Sequence, residues 1–377
     1  MAISRVRGSP VTALPAAGEA APAAAPTTPA ASDVFGGTVA ATREKPREYP
    51  VKRLPLEGPL ADKDAGLSGM AWHGDDLVLL PDRPQVWNEA RPEVFTISRH
   101  ALQQRIDGDP TPLRPRHVPI EPVNFRDAFP GFDGCEAIAF HGDQAYVLIE
   151  AKPNDPEPKS QAERDAKAEA RKHHEDPIRD LTVGYLVPGT LKDGKLQLDV
   201  DRKVFLGQHT KLRNLSFEGL CVMQDKLVVL GELNGGPLNP HSSALLFDFD
   251  LKPLGELPME ALQYRLTDST PADADGRFWV ANYRMDKREY PVGRDEEVRR
   301  YGKGETASHL RRVERLVELQ EKDGKLELVR RPPVQLQLDP TKNSRNWEAL
   351  ARFGDKGFLI ATDTFPESML GYVATDD

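Results

Sequence analysis

The sequence lacks several features that define whole classes of protein. It has only two cysteines, Cys135 and Cys221, which excludes a disulfide-stapled scaffold and fits no zinc-binding spacing. No run of 18 apolar residues occurs, so the sequence predicts no membrane-spanning helix. Acidic residues (59) outnumber basic ones (50), which gives a net charge of −9. This balance argues against nucleic-acid binding through a broad basic surface.

Well-known catalytic signatures are absent as well. The sequence contains no glycine-rich phosphate loop, no His-Glu-x-x-His and no Cys-x-x-Cys. The segment Gly66-Leu-Ser68-Gly-Met differs from a nucleophile elbow, because its second glycine comes one position early and it leads from a strand into a hairpin. Any catalysis must therefore come from another arrangement of residues.

What the sequence does contain is a hairpin that recurs five times. In the copy that ends at Glu150, two apolar runs flank a Gly-Asp turn, with one carboxylate at each outer end. The polar residues at the two ends lie 14 positions apart in four copies and 15 apart in the fifth. These end pairs are Ser68 and Asp82, Glu136 and Glu150, Glu218 and Glu232, Asp268 and Asn282, and Glu348 and Asp363. Such a repeat of strands indicates a radial or solenoid array.

The strands between these hairpins predict an all-β fold. Each hairpin is followed by two further strands, and together they make the four-stranded blade of a β-propeller. The last repeat supplies only three strands, so the strand Tyr49–Leu56 is predicted to be its fourth and to close the ring. Five blades are counted, and a sixth without the motif would fit in the long spacings before Glu136, Glu218 or Glu348.

Composition divides the chain into a tail and one domain. Residues 1–47 are rich in Ala, Pro, Thr and Gly and predict a disordered tail or linker, without the apolar centre of a secretory signal. Residues 48–377 form the single predicted propeller domain. Within it, residues 151–181 are highly charged and have no apolar stripe, so they predict a solvated insertion.

The propeller geometry predicts that the ends of the hairpins converge at one mouth of the central channel. The first residues of the five end pairs form an inner ring of Ser68, Glu136, Glu218, Asp268 and Glu348. The second residues form a ring just outside it, of Asp82, Glu150, Glu232, Asn282 and Asp363. Crowded carboxylates repel one another unless a cation binds. Oxygen ligands suit Ca²⁺ first, with Mg²⁺ or Mn²⁺ behind it, and Glu136, Glu218, Asp268 and Glu348 are the predicted metal ligands. Alternatively, these acids cap the blades by accepting backbone N–H hydrogen bonds.

Basic residues stand in loops on the same rim. Arg213-Asn214 and Arg345-Asn346 each come shortly before a ring glutamate. Arginines beside a bound cation would hold a phosphate or a carboxylate through paired hydrogen bonds. The alternative is that they neutralise the acids as surface ion pairs. Because the long loops are predicted on this rim and tight turns on the other, the binding site is predicted on this face.

These residues resemble the phytase-like β-propeller family, which is associated with an esterase-like activity. The resemblance runs from about Tyr49 to the C-terminus. It is carried by Gly66–Trp72 with Pro81-Asp82-Arg83, Cys135–Ala139 with Glu150, Asn214–Cys221 with Glu232, and Asn346–Ala351 with Thr362-Asp363. The sequence departs from the family pattern at Ala137 and Ala349, where glycine is usual, and at Asn282, where an acid is usual. The resemblance implies a periplasmic or secreted protein.

The sequence therefore predicts metal-assisted hydrolysis of a small anionic or ester substrate at the axial mouth. The cation would polarise a phosphoryl or acyl oxygen. Glu218 and Glu348 would provide the base beside Arg213 and Arg345. The predicted ligand contacts are Ser68, Asp82, Arg83, Glu150, Asn214, Glu232, Asn282, Asn346 and Asp363. The rival hypothesis is a non-catalytic propeller that binds a small ligand or a protein on its loop-decorated face.

Overall fold

The computed structural model describes residues 46–85, 91–122, 124–153, 161–162, 182–210, 215–285 and 292–375. The predicted tail at 1–47 and the predicted insertion at 151–181 lie almost wholly outside these ranges and stay predictions. Arg213 and Asn214 also lie outside the described residues. Most of the regular structure that is described is β-strand.

The first two blades each start from a predicted hairpin. Before them come the short strands β1 (Glu48–Tyr49) and β2 (Lys52–Leu54). Blade 1 contains β3 (Leu67–His73), β4 (Asp76–Pro81), β5 (Glu93–Ser98) and β6 (Arg116–Glu121). Blade 2 contains β7 (Phe132–His141), β8 (Gln144–Ala151), β9 (Val183–Lys192), β10 (Lys195–Leu198) and β11 (Val204–Gly207). Strands β10 and β11 both pair with β9.

The remaining three blades start from hairpins in the same way. Blade 3 contains β12 (Phe217–Met223), β13 (Lys226–Gly231), β15 (Ser243–Phe247) and β16 (Pro253–Pro258), and its short β14 (Leu233–Asn234) pairs with blade 4. Blade 4 contains β17 (Leu262–Ser269), β18 (Arg277–Arg284), β19 (Val313–Lys322), β20 (Lys325–Leu328) and β21 (Val334–Leu336). Blade 5 contains β22 (Trp347–Arg352), β23 (Gly357–Thr362) and β24 (Met369–Ala374).

The alternation of side chains along each strand explains why the blades form a ring. In β4, Leu77 and Leu79 pack toward blade 5, whereas Val78 and Leu80 pack toward blade 2. Five hydrophobic clusters result, one at each junction between neighbouring blades, including the junction of blade 5 with blade 1. The predicted β-propeller is confirmed, and the described residues form five blades without a sixth.

The N-terminal strand closes the ring as predicted. β2 pairs antiparallel with β24, with Leu54 opposite Leu370, and it supplies the fourth strand of blade 5. The predicted strand is divided, however, because β1 pairs in parallel with β21 of blade 4. The Glu48 carboxylate there accepts hydrogen bonds from the backbone N–H groups of Thr306 and Ala307. The N-terminal segment β1–β2 therefore contacts blade 4 and also completes blade 5.

The described residues also contain short helices and a pairing between blades 1 and 2 that the sequence did not predict. The helices are α1 (Arg99–Ile106), α2 (Phe125–Ala128) and α3 (Glu296–Tyr301), and single 3₁₀ turns cover Gly58–Ala61, Val200–Arg202 and Thr306–His309. β6 pairs in parallel with β10, which joins the outer edges of blades 1 and 2. No helix in the described ranges is long and apolar enough to cross a membrane.

Candidate functional site

A β-bulge lies at the ring position of every inner strand. The regular pairing shifts around Ser68 in β3, Glu136 in β7, Glu218 in β12 and Glu348 in β22. In β17 the shift lies between Leu266 and Ser269 and includes Asp268. A bulge leaves a residue unpaired and redirects its side chain. In four of the five blades, the redirected side chain faces the axial mouth.

These side chains line a pocket of about 450 Å³. Eight carboxylates and two arginines line it, a formal excess of six negative charges. The lining carboxylates are Asp64, Asp82, Asp133, Glu136, Glu150, Glu218, Glu348 and Asp363, and the arginines are Arg83 and Arg265. Ser68 and Asn346 also line the pocket. Most of the predicted site residues are thus brought together here.

The guanidinium of Arg265 occupies one half of the pocket. The side chain is only 6% exposed, and its Nη2 donates to Glu218 Oε1 at 3.0 Å. The same nitrogen lies 3.6 Å from Glu348 Oε1, and Nε forms a close ion pair with the fully buried Glu232. The Tyr283 ring centroid lies 5.1 Å from the guanidinium, and its hydroxyl donates to Glu348 at 3.0 Å. Three carboxylates therefore share one internal cation.

The other half of the pocket, called here the open half, consists of Ser68, Asp82, Glu136, Glu150 and Asp363. Within the described ranges, no hydrogen-bond donor or cation pairs with Glu136, and its strongest electrostatic neighbours are all carboxylates. Ser68 Oγ, Glu150 Oε1 and Asp363 Oδ1 are buried without a hydrogen-bond partner among the described residues. Arg83 pairs with Asp82 and Asp133 at the rim but stays 59% exposed. The open half therefore contains more hydrogen-bond acceptors than hydrogen-bond donors.

Burial and mutual repulsion raise the pKa of these carboxyl groups. Loss of solvent and then the charge of Asp363 raise the pKa of Asp82 to about 8, and water at this 26%-exposed side chain screens part of the repulsion. Burial, followed by the neighbouring carboxylates, raises the pKa of Glu136 and Glu150 well above the usual range. The pKa of Glu348 is also raised, by burial and then by Asp363. Without a bound cation, the pocket therefore retains protons near neutral pH.

Asp268 shares the bulge position but is not among the residues that line the pocket. It is 1% exposed, and its carboxylate accepts from the backbone N–H groups of Ser269 (2.8 Å), Leu350 (2.7 Å) and Met70. These donors belong to blades 4, 5 and 1, so the side chain links three inner strands across the narrow channel. This placement corrects the prediction that Asp268 is a ligand at the mouth, and it matches the alternative of a blade cap.

The outer ring is also divided. Asp82, Glu150 and Asp363 reach the pocket, whereas Glu232 lies buried against Arg265. Asn282 is 1% exposed and is not a lining residue. Its Nδ2 donates to the carbonyl oxygen atoms of Gln263 (2.9 Å) and Arg265 (3.0 Å). Asn282 therefore stabilises the backbone at Arg265. It is not placed to contact a ligand, although the sequence predicted such a contact.

Arg345 does not line the pocket. Its Nε donates to Glu314 Oε2 at 2.7 Å, and its guanidinium lies 4.8 Å from the Trp347 ring. Arg345 therefore forms an ion pair, as the alternative hypothesis proposed. Its partner is Glu314, however, and not one of the ring glutamates. Asn346 does line the pocket, where its Nδ2 donates to Asp363 (3.2 Å) and Glu348 (3.4 Å).

The sequence analysis did not predict Arg265. This arginine lies in the half of the pocket formed with Glu218, Glu232 and Glu348, called here the filled half. It lies three positions before Asp268, and the equivalent positions of the other repeats show no common residue type: Ala65, Asp133, Leu215 and Arg345. The available signal was indirect. Blade 4 is the one repeat in which an amide, Asn282, replaces the second acid, which leaves room for a cation from that blade.

The raised pKa values predict that the cation-free protein loses stability as pH rises. The folded state retains protons on Asp82 that the unfolded chain releases near pH 4, so stability present below that pH is lost as pH rises toward about 8. Denaturant unfolding in EGTA at pH 5 and pH 8 should show this fall, and it should be smaller in Asp82→Asn. The buried His209, whose pKa is lowered, acts in the opposite direction in both proteins. Equal pH dependence of wild type and variant would contradict the prediction.

No protein-family model and no curated protein sequence matches this chain. Among solved structures, similar ones include a GH43_1 enzyme from Xanthomonas citri complexed with xylotriose (TM-score 0.44, 8% identity, 85% of this chain and 90% of that one). The soluble aldose sugar dehydrogenase of Escherichia coli is similar at TM-score 0.43 and 8% identity, over 86% and 99% of the two chains.

A third similar structure is the GH43 protein BlXynB from Bacillus licheniformis, at TM-score 0.41 and 11% identity over 81% of this chain. This chain spans about half the length of that protein (50%). Similarity at this level says nothing about a substrate or a reaction. The β-propeller architecture rests on the strand pairing and the five inter-blade clusters of this chain itself.

Proposed function

We propose that the open half of the pocket binds a divalent cation, Ca²⁺ first, and that the protein hydrolyses a small ester there. The observation that carries this proposal is that Glu136 and the buried atoms Ser68 Oγ, Glu150 Oε1 and Asp363 Oδ1 have no hydrogen-bond donor or cation as partner among the described residues. Asp82, Glu136 and Glu150 would hold the ion, with Ser68 and Asp363 beside them. The other buried cation of the pocket, Arg265, is already paired with Glu218, Glu232 and Glu348.

The chemistry of the donors fits a hard cation. All of them are oxygen atoms, and Ca²⁺ accepts six to eight oxygen ligands in flexible geometry, whereas Mg²⁺ requires a regular octahedron. In the described part of the chain, no group of three or more His, Cys, Asp or Glu side chains is arranged to hold a metal ion as it stands. Binding therefore requires the open-half carboxylates to rotate toward a common point, which favours Ca²⁺ over Mg²⁺.

The chain supplies a proton donor next to this ion. When bound, the cation would polarise a carbonyl oxygen and lower the pKa of a coordinated water. Glu348 is fixed by the Tyr283 hydroxyl and by Asn346 Nδ2, and burial, followed by the charge of Asp363, raises its pKa and so favours its protonated form. A carboxylic acid in this state can protonate a leaving alcohol. The Glu218 carboxylate accepts a hydrogen bond from Arg265 Nη2 and is therefore already paired.

The charge of the pocket selects among the candidate substrates. With a divalent cation bound and Glu348 protonated, the formal excess falls from six negative charges to three, so a phosphate monoester would still be repelled. A neutral carboxylic ester or a lactone meets no such barrier. The resemblance to phytase-like propellers is compatible with ester hydrolysis. The negative charge of the pocket favours carboxylic esters over phosphate esters as substrates.

Two measurements on the purified chain test the proposal. Calorimetric titration with Ca²⁺, Mg²⁺ and Mn²⁺ should show one site, strongest for Ca²⁺. Hydrolysis of p-nitrophenyl acetate and of a lactone should then depend on Ca²⁺, be lost in EGTA and exceed hydrolysis of p-nitrophenyl phosphate. Calcium binding without any turnover would support the rival hypothesis of a non-catalytic binding propeller. Binding heat with a guanidinium compound and with none of the metals would assign the pocket to an organic cation instead.

A further inference from the structure

A second pocket lies between blades 4 and 5, at the opposite end of their strands from the axial mouth. Arg352 and Phe358 line it, and they pair across the blade 5 hairpin next to its turn, whereas Glu348 and Asp363 mark the other end of that hairpin. Trp279, near the start of β18, lines the pocket from blade 4. The pocket has a volume of about 240 Å³. Among the described residues, none lines both this pocket and the axial one.

Arginines give this pocket a charge opposite to that of the axial mouth. Arg47, Arg331 and Arg352 line it, and no carboxylate does so within the described ranges. Two acids outside the pocket offset part of the charge. Arg331 Nη1 donates to Glu318 at 3.3 Å, and Arg352 Nη2 lies 3.8 Å from the exposed Asp355. The balance remains positive, on a chain whose net charge is −9.

Aromatic rings support two of these arginines and leave several of their donors unused. The guanidinium of Arg331 lies 5.2 Å from the Trp279 ring centroid, and that of Arg352 lies 5.9 Å from the Phe358 centroid. Each guanidinium has five N–H donors. In hydrogen bonds with the described residues, Arg331 uses only Nη1, and Arg352 uses only Nε, which donates to the Gly354 carbonyl oxygen at 3.0 Å. Trp279 Nε1 is also buried without a partner there. The pocket therefore has unused donors, whereas the open half of the axial pocket has unused acceptors.

The remaining wall of the pocket is apolar and partly accessible. Pro46 and Tyr49 are half-buried, and Pro332 is exposed. Proline has a fixed φ and no backbone N–H, so this wall is rigid and suits an apolar group. Aromatic rings prefer to pack against such surfaces. A volume of about 240 Å³ is below the usual range for drug-sized ligands, which limits the occupant to about one ring with a short substituent.

We propose that this pocket binds a small aromatic anion, a single ring that carries a carboxylate or a phosphate group. The anionic oxygen atoms would accept hydrogen bonds from the unused donors of Arg331 and Arg352, since a guanidinium matches both groups. The ring would pack against Tyr49 and the prolines. The inference goes beyond the proposed function and does not depend on it, because the two pockets share no lining residue and carry opposite charge.

Calorimetric titration of the full chain in EGTA at low salt tests the ligand class without any contribution from calcium. Benzoate and phenyl phosphate are expected to bind with a Kd of about 0.1–1 mM. Acetate and inorganic phosphate keep the charge without the ring, and benzyl alcohol keeps the ring without the charge. Each of these should bind at least about ten-fold more weakly. Benzoate binding no tighter than that of acetate or of benzyl alcohol would overturn the inference, as would no binding of benzoate and phenyl phosphate.

Variants test the location. Arg331→Gln/Arg352→Gln should weaken benzoate binding by about ten-fold or more, and Tyr49→Ser by about three-fold. The two arginine side chains are 51% and 45% exposed, so their replacement should leave the fold intact, which melting curves check. The matched control Arg114→Gln/Arg202→Gln removes the same charge from side chains that are 83% and 52% exposed and do not line the pocket, and its affinity should equal that of wild type. An equal loss in both double variants would assign binding to overall charge and overturn the site.

Discussion

Replacement of Glu136 with glutamine is expected to abolish at least half of the stabilisation that calcium gives the protein. A ligand that binds only the folded state at 100 times its Kd stabilises it by about 2.7 kcal/mol, which for a domain of this size raises the melting temperature by roughly 5 °C. Glu150 and Asp82 are the charged groups that act most strongly on Glu136, and no described cation pairs with it. Its neutralisation should lower calcium affinity by about ten-fold or more, since ligand charge sets affinity at such sites.

Two control variants make this experiment specific. Glu327→Gln removes the same charge from β20, where the side chain is 44% exposed, and should leave the calcium response unchanged. Glu218→Gln should retain most of the response, because the Glu218 carboxylate is already paired with Arg265. An equal loss in Glu136→Gln and Glu218→Gln would show that the ion lies on the channel axis, as the symmetric ring of the sequence analysis predicts. No calcium response in wild type would contradict the metal site.

Removal of the closing strand is expected to destabilise the whole propeller. A chain that begins at Pro55 lacks β2, the pairing of Leu54 with Leu370 and the hydrogen bonds of Glu48. Burial of Leu54 is worth about 2 kcal/mol and each lost hydrogen bond about 1 kcal/mol, so the free energy of unfolding should fall by roughly 4–6 kcal/mol. The exposed edge of β24 should also promote aggregation.

A chain that begins at Pro46 is the matched control, because it retains both β1 and β2. It should unfold at the same denaturant concentration as the full chain, with the same dependence on denaturant. Equal unfolding midpoints for the chains that begin at Pro46 and at Pro55 would show that β2 is not needed to close blade 5.

The sequence by itself predicted the five hairpins, their assembly into propeller blades and the closing strand, with a sixth blade left open. Their signals are local. Apolar residues alternate along each strand, a Gly-Asp turn separates the two strands of a hairpin, and the end residues recur 14 or 15 positions apart. It also predicted that Ser68, Glu136, Glu218 and Glu348 lie at one mouth, because equivalent ends of equivalent hairpins face the same axis. The structure shows a bulge at each of these positions.

Only the tertiary structure decided how the charges at that mouth are paired. Arg265 is fixed by glutamates from two other blades, Asp268 by the backbone of three inner strands, and Arg345 by Glu314. Apart from the contact of Asp268 with Ser269, these contacts join residues far apart in the chain, and their geometry depends on how the blades pack against one another. A repeat motif specifies equivalent positions, whereas a buried charge takes the partner that compensates its loss of solvent. The symmetric ring that the repeat predicts therefore becomes a pocket with one filled half and one open half.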